Sequence, residues 1–402
     1  MIQRSSDDDK RLLQKIKLTN FLSFGPETTS IDLQSLNIII GINGVGKSNL
    51  IEAVALIQAT PRDIGAVVRK GGGASEYIWK GKRDSTATIE VVVSNPKGKQ
   101  SLVHLLSFYS EKLRFQLEDE RVENEYGYGK QRPYFYYHFE DGNPIVNTND
   151  GTKRQLAKEK IDPTLSILSQ RRDPEHYPEI SYLADVYGSI RIYREWSFGR
   201  NTVFREPQKA DMRNDRLEED FSNLGLFLSM ISRQHPKAKK EILEGLGELY
   251  QNLSDFNVST EGGTVQVFLT ENIRENEFIT IPATRLSDGT LRYLCLLAIL
   301  CDPDPPSLIC IEEPELGLHP DILPKLADYL VAASKRTQLI VTTHSDILID
   351  AMTERPEVVL VCDKHNGCTE IRRLKQEDLK VWLEKYRLGQ LWIQGHLGGT
   401  RW

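Results

Sequence analysis

Apolar and β-branched residues gather in four short runs early in the chain: "KIKLTNFLSF" (15–24), "LNIII" (36–40), "ATIEVVVS" (87–94) and "SLVHLLSFY" (101–109). Runs of this length, partly alternating and separated by glycine-rich or charged pieces, predict β-strands. Between the second and third runs, "LIEAVALIQA" places Leu50, Val54 and Ile57, and also Ile51 and Ala55, on shared helical faces, which predicts one helix. The next stretch, "TPRDIGAVVRKGGGASEYIWKGKRD" (60–84), reads as an exposed, irregular excursion because of Gly71, Gly72 and Gly73. Residues 121–215 are polar and tyrosine-rich and predict little regular structure. Amphipathic helices are expected within 216–254, then strands at "GTVQVFLT" and "EFITIPA". From Leu286 onward helix and strand alternate as in an α/β unit. Neither an internal repeat nor a long heptad array is present.

Composition adds bounds. The 402 residues, 39% hydrophobic and 27% charged, suit a globular protein with a substantial core. No apolar run is long enough to span a membrane and the start, "MIQRSSDDDK", has no apolar signal core, so the expectation is a soluble, cytoplasmic protein with no membrane partner. Five cysteines, two of them in apolar runs, argue against a disulfide framework. Cys362, His365 and Cys368 in "CDKHNGC" could offer three zinc ligands, but no fourth is near and a hairpin after "EVVLV" competes. A net charge of −6 excludes a uniformly basic coat for nucleic acid and leaves room for a local patch.

Candidate chemistry begins at "GINGVGKSNL" (41–50), where Gly41, Gly46, Lys47 and Ser48 meet the pattern G-x-x-x-x-G-K-[ST] between a strand and a helix. Glycines such as Gly44 and Gly46 let the backbone turn its N–H groups, with those of Asn43 and Asn49, toward phosphate at a helix N-terminus. Lys47 would reach the β and γ phosphates of ATP and Ser48 would ligate Mg²⁺. In "PPSLICIEEPELGLHP" an apolar strand ends in Glu312 and Glu313: the first is expected in the metal shell, the second polarising the attacking water. "RLSDGTLRYLCLLAILC" is a capped, mostly buried helix starting at Ser287. "TQLIVTTHSDILID" is a further strand that ends at His344, where a γ-phosphate sensor would be useful.

This order of motifs resembles the RecF/SMC branch of ABC-type ATPases, and within it the stand-alone ATPases with AAA-type names found among bacterial repair and phage-defence proteins. The opening "KIKLTNFLSFG" and the ending "LGQLWIQGHLGGTRW" are similar to that group as well. The resemblance implies an α/β fold: an ABC-type P-loop ATPase head with a mixed sheet, a β-rich N-terminal lobe and an inserted helical region. The expected boundaries are an N-terminal lobe over 1–200, a mainly helical insertion over 201–275 and a C-terminal lobe over 276–402. It further implies that Gln170 in "SILSQRRDP" is the Q-loop glutamine near Mg²⁺, that Ser287 and Gly289 are the signature motif, and that His344 is the switch histidine. "LSDGT" departs from the commoner "LSGGQ", and "ELGLHP" is an approximate D-loop.

In that family the signature acts on the ATP of the partner subunit, so a head-to-tail homodimer enclosing two ATPs is expected, with a higher oligomer as a further possibility. About 240 residues separate Lys47 from Ser287, too many for a transporter ATPase and without the coiled coil of an SMC arm, so a compact insertion remains. No helical lid with sensor residues speaks for a hexameric AAA+ machine. Two readings of the ATP cycle stay open. One is a switch that controls a separately encoded effector, such as a nuclease or toxin. The other is direct binding of double-stranded DNA through Arg62, Arg69, Lys70, Lys80, Lys82 and Arg83, set against Asp63, Glu76 and Asp84, with "PKAKK" (236–240) as a second basic segment. Trp392, His396 and Trp402 could form a docking tail or pack on the core.

Overall fold

The computed structural model describes residues 11–82, 85–127, 131–140, 143–148, 153–156, 161–196, 199–274 and 277–398. Arg83, Asp84 and Trp402 lie outside them. Three sheets organise the chain. The first is antiparallel: β1 (Leu13–Thr19), β2 (Thr29–Asp32), β4 (Ala87–Val93), β5 (Leu102–Glu111), β6 (Arg114–Asn124), β7 (Phe135–Glu140), β8 (Asn143–Asn147) and β9 (Lys153–Gln155), in the order β2-β1-β4-β5-β6-β7-β8-β9. The second is built from β3 (Leu36–Ile40), β10 (Arg191–Tyr193), β15 (Leu308–Glu312), β16 (Gln338–Thr342), β17 (Val359–His365) and β18 (Cys368–Arg373), ordered β10-β15-β16-β3-β17-β18. Its strands are parallel except for β18. The third joins β11 (Gln208–Lys209), β12 (Leu253–Glu261), β13 (Thr264–Arg274) and β14 (Glu277–Pro282).

The parallel sheet explains why its strands read as unbroken apolar runs: both faces are covered. Ile38, Ile40, Ile309, Ile311, Leu339 and Val341 point into one core, which also holds α6 (Leu224–Gln234), α7 (Pro236–Leu249), α8 (Asp288–Leu300) and α9 (Leu323–Ala333). Their neighbours Ile39, Leu308, Cys310 and Ile340 point into the other, shared with α1 (Lys47–Ala59), α5 (Pro178–Ser189) and the antiparallel sheet. The period-two alternation thus divides each strand between two cores. Register aligns Glu312 with Thr342 and Thr342 with Ile39, so β15, β16 and β3 end at one edge.

Several expectations change. The excursion is not irregular: α2 (Ile64–Lys70) and α3 (Ala74–Tyr77) bury Ile64, Val68, Ala74 and Tyr77, which outweigh the glycines. Residues 121–215 carry the end of β6, then β7 to β10, α4 (Ile167–Gln170) and α5. The stretch 201–275, expected to be mainly helical, holds α6 and α7 but also β11 and the β12–β13 hairpin, whose Phe256, Val267 and Leu269 face the same core. Cys362, His365 and Cys368 lie on a hairpin turned at Asn366 and Gly367, both with positive φ, and no group of metal-binding side chains occurs among the described residues. The chain's last helices are α10 (Asp346–Asp350), α11 (Gln376–Leu383) and α12 (Leu388–Ile393). Trp392 is buried in the core and the His396 ring packs at a tilt against Trp382, 4.6 Å between centroids, which favours packing over a free tail.

Candidate active site

The loop between β3 and α1 turns at glycines for steric reasons. Gly46 has φ +107°, and a Cβ there would strike the hydroxyls of Ser23 and Thr369. Gly44, at φ +82°, faces open space. Hydroxyls brace the loop from below: Thr369 Oγ1 donates to Val45 O at 2.6 Å, and Asn49 Nδ2 donates to Ser23 Oγ at 2.6 Å. Asn49 therefore spends its amide on the loop's support, whereas Asn43 is exposed at its tip. Lys47 folds over the loop, its Nζ donating to Gly41 O at 2.9 Å and Ile42 O at 3.0 Å. Burial holds its pKa below the ordinary lysine value against the opposing pull of Glu313, Glu315 and Glu312.

Ser48 Oγ donates to Glu312 Oε2 at 3.3 Å, which sets a hydroxyl and a carboxylate from two different elements side by side. Such hard oxygen donors fit Mg²⁺. Burial raises the Glu312 pKa, opposed by Arg194 and by the Ser48 hydrogen bond, so this carboxylate would gain from a cation. Glu313 has φ +46°, a left-handed conformation uncommon for a non-glycine residue. Its N–H donates to Thr342 O at 3.0 Å, and its Oε1 lies 3.4 Å from His344 Nε2. The His344 backbone N–H donates to Glu315 Oε1 at 2.7 Å. Burial and the Lys47 charge hold the His344 pKa below 6.5, which favours the neutral imidazole.

Residues that pattern reading passed over hold the two acids in place. Trp196 Nε1 donates to Glu312 O at 2.7 Å. Arg292, buried on α8, donates from Nη2 to Glu313 O at 2.7 Å, and its guanidinium lies 4.2 Å over the Trp196 ring. Gly199 and Arg205, further along the chain than Trp196, reach the start of α8: the Gly199 N–H lies 3.3 Å from both Asp288 carboxylate oxygens, and Arg205 pairs with Asp288. The aspartate that distinguishes "LSDGT" is thus neutralised from its own chain, with its pKa lowered first of all by that arginine. Arg194, just past β10, pairs with Glu52 of α1.

Gln170 is the exception to this convergence. Its Nε2 donates to Asp162 O and Leu165 O at 3.1 and 2.8 Å, and its Oε1 accepts from Asp162 N at 2.8 Å. Its amide is consumed by the loop that precedes α4, so the structure does not join it to Ser48 and Glu312. Arg194 and Trp196 occupy the end of the strand beside β15 instead. Ser287 caps α8, accepting from Thr290 N at 3.1 Å, and is exposed. Gly289 packs against the segment after the acids, where an added Cβ would lie 3.0 Å from Gly317 O.

Residues 36–350 match the family described as "AAA domain, putative AbiEii toxin, Type IV TA system". Among relatives, the Old nuclease of Escherichia phage P2 is 22% identical over 380 residues, 88% of this chain and 60% of that protein. The Rad50 DNA double-strand break repair ATPase of Sulfolobus acidocaldarius is 36% identical over 86 residues, 21% of this chain and 9% of its own. The chain thus spans about 60% of the phage relative's length and a small part of Rad50. In fold it is similar to a Smc head bound to the C-winged helix domain of ScpA, with TM-score 0.58, 15% identity and coverage of 91% of this chain and 99% of that one. A Smc head with an extended coiled coil, bound to the C-terminal domain of ScpA derived from Pyrococcus furiosus, gives TM-score 0.58 at 13% identity, covering 93% of this chain and 99% of the other. With the family match covering well over half of its residues, the chain belongs to that AAA-domain family, and its fold is that of the Smc heads.

Proposed function

We propose that two copies of this chain pair head to tail around two molecules of ATP, and that making and breaking this pair is a cytoplasmic switch in phage defence or DNA repair. The observation that carries the reading is the exposed start of α8. Ser287 is exposed, Gly289 abuts Gly317, and Leu316 beside it is 45% exposed, a large apolar side chain left in solvent. No described hydrogen bond joins this surface to Lys47 or Ser48. A helix N-terminus of this kind stabilises a γ-phosphate only when another copy brings it across. ATP binding would then favour the closed pair and hydrolysis would release it, a differential affinity of the sort a ligand-driven switch requires.

Within each half-site, the loop N–H groups and Lys47 would hold the phosphates, and Ser48 with Glu312 would hold Mg²⁺, which supplies charge neutralisation at the γ-phosphate. Glu313 would orient and deprotonate the attacking water, with neutral His344 beside it to sense the γ-phosphate. The output is assigned to a separately encoded effector, and the name of the phage P2 relative makes a nuclease its leading chemical class. Direct duplex sensing draws less support. Arg69, Lys70 and Lys80 form ion pairs with Asp63, Glu195 and Glu76, while Lys239 pairs with Asp255. Light scattering on Glu313→Gln tests the switch: ATP with Mg²⁺ should double its mass, and a monomer at saturating ATP would refute the pairing.

A further inference from the structure

The tyrosine-rich stretch that resisted reading borders a cleft of 1090 Å³ on the antiparallel sheet, walled by the β4–β5 turn, β6 and the approach to β7. Its ligand cannot be inferred from the ATP site, which lies at the end of the other sheet. Lys97 and Lys99 stand on the turn and Arg132 on the approach, all three exposed, and none has an ion pair with a described residue. Arg121 of β6 also lines the cleft, its guanidinium paired with Asp119 at 2.6 Å. Two rings stand among these charges. Tyr134 is 45% exposed and packs edge-on against Tyr136 at 5.2 Å. The Tyr136 hydroxyl donates to Asn124 Oδ1 at 3.0 Å, and the Asn124 N–H donates to Tyr134 O at 2.8 Å, so the Tyr136 ring and the Tyr134 backbone are held in position before anything binds. Glu123 and Glu179 bring two half-buried carboxylates to the same cleft.

We infer that this cleft binds a short run of single-stranded nucleic acid, with Lys97, Lys99 and Arg132 on its phosphates, Tyr134 stacked on a base and the glutamates accepting from exocyclic amino groups. Each element answers a distinct part of that chemistry. Cations spaced along a groove follow a phosphate backbone, and an exposed aromatic ring takes any base on its face. Carboxylates read amino-group donors on unpaired base edges, as in recognition of splayed single strands. A protein partner with an acidic surface would use the cations but not the aromatic rings, and would bring no amino-group donors for the glutamates. The volume lies near the upper end of ordinary ligand pockets, roughly 300–1,000 Å³, which suits a few unpaired nucleotides and not a double helix. Burial also raises the pKa of both Glu123 and Glu179, so a bound amino group would relieve them.

The test is fluorescence anisotropy of the full chain with short labelled single-stranded DNA and RNA of one sequence, the matching duplex, and a salt series. A single strand should bind more tightly than the duplex, and Tyr134→Ala should weaken it about tenfold, the low end of base-stacking effects. Lys97→Ala combined with Lys99→Ala should lower the salt slope by about 1.4, two phosphate contacts at the single-strand value. Tighter binding of RNA or of DNA names the physiological strand, and either supports the assignment. Lys47→Ala should abolish ATP binding and leave strand binding intact, so failure here and failure of the ATP switch are separable. The inference is overturned if the strand does not bind at low salt, if the duplex binds more tightly, or if free nucleotide displaces the strand from Lys47→Ala. Strand affinity indifferent to Tyr134→Ala and to the lysine pair would overturn it equally.

Discussion

Replacing Arg292 by methionine removes one side chain that links α8 to the backbone of Glu313, the residue proposed above to activate water. Arg292 is only 2% exposed, and its Nη2 holds Glu313 O at 2.7 Å while the guanidinium stacks 4.2 Å over Trp196. A hydrogen bond from a charged donor contributes about 1.5–3 kcal/mol, and a desolvated cation–π contact about 2 kcal/mol. Burial offsets part of this, since it pushes the Arg292 pKa down to about 10. Glu313 meanwhile sits at φ +46°, a conformation that costs about 1–3 kcal/mol and persists only while neighbours impose it. Loss of about 1.4–3 kcal/mol of restraint lets Glu313 relax, and kcat for ATP hydrolysis should fall roughly 10- to 100-fold. The phosphate loop is untouched, so affinity for a fluorescent ATP analogue should change little, and Arg292→Lys, which keeps a donor, should recover part of kcat. Steady-state hydrolysis with parallel nucleotide titration and a melting curve reads all of this. A folded Arg292→Met chain with parental kcat, or one whose loss lies in KM alone, would refute the argument.

Other consequences follow from single contacts. Glu313→Gln keeps the size of the side chain but not its basicity, so hydrolysis should fall by about 10²-fold or more while ATP binding persists; single-turnover assays decide it. Gly46→Ala adds a Cβ against Ser23 and Thr369 at φ +107°, and equilibrium binding should show ATP affinity falling sharply in a chain that still folds. Asp302 is 7% exposed and burial pushes its pKa up from 3.8 to about 6. The native state thus holds its proton more tightly than the unfolded chain, so this group's relative contribution to stability is present below pH 4 and lost as pH rises through about 6. Asp302→Asn should therefore stabilise the protein at pH 7–8 by up to about 3 kcal/mol, at 1.36 kcal/mol per unit. Below pH 4 it should have little effect, and denaturant melts at the two pH values make the comparison.

Strands β3, β15 and β16 were legible because each is a mostly apolar run that ends at or beside a chemically distinctive residue: Gly41 after β3, Glu312 in β15 and Thr342 in β16. The structure brings Lys47, Ser48, Glu312, Glu313 and His344 to one sheet edge, which a motif reader could anticipate from strand ends alone. The braces were not legible. Strand β10 is three residues long, too short for periodicity to register, yet it delivers Arg194 and Trp196 to the site. Arg292 sits between Leu291 and Tyr293 in the first turns of α8, where a charge reads as a solvent-facing position until the fold buries it. Gln170 was chosen for its residue type in a loose context, and local backbone groups claim its amide. Strands β7 to β9 were missed because β7 mixes tyrosine, histidine and glutamate, which blurs the alternation expected of a strand, and β8 and β9, at 5 and 3 residues, are too short for a period to register.

The most direct test of the head-to-tail switch is a mixing experiment with two inactive chains. On that account Lys47→Ala should lose ATP but present an intact Ser287, and Ser287→Arg should hold ATP but obstruct the facing site. In a mixed pair the Lys47 of one copy meets the Ser287 of the other, and one composite site is whole. The account predicts that each variant alone is nearly inactive and that their mixture regains ATP hydrolysis, rising with the concentration of both. A mixture that stays as inactive as its components, at concentrations where the parental chain turns over, would contradict a site shared between copies.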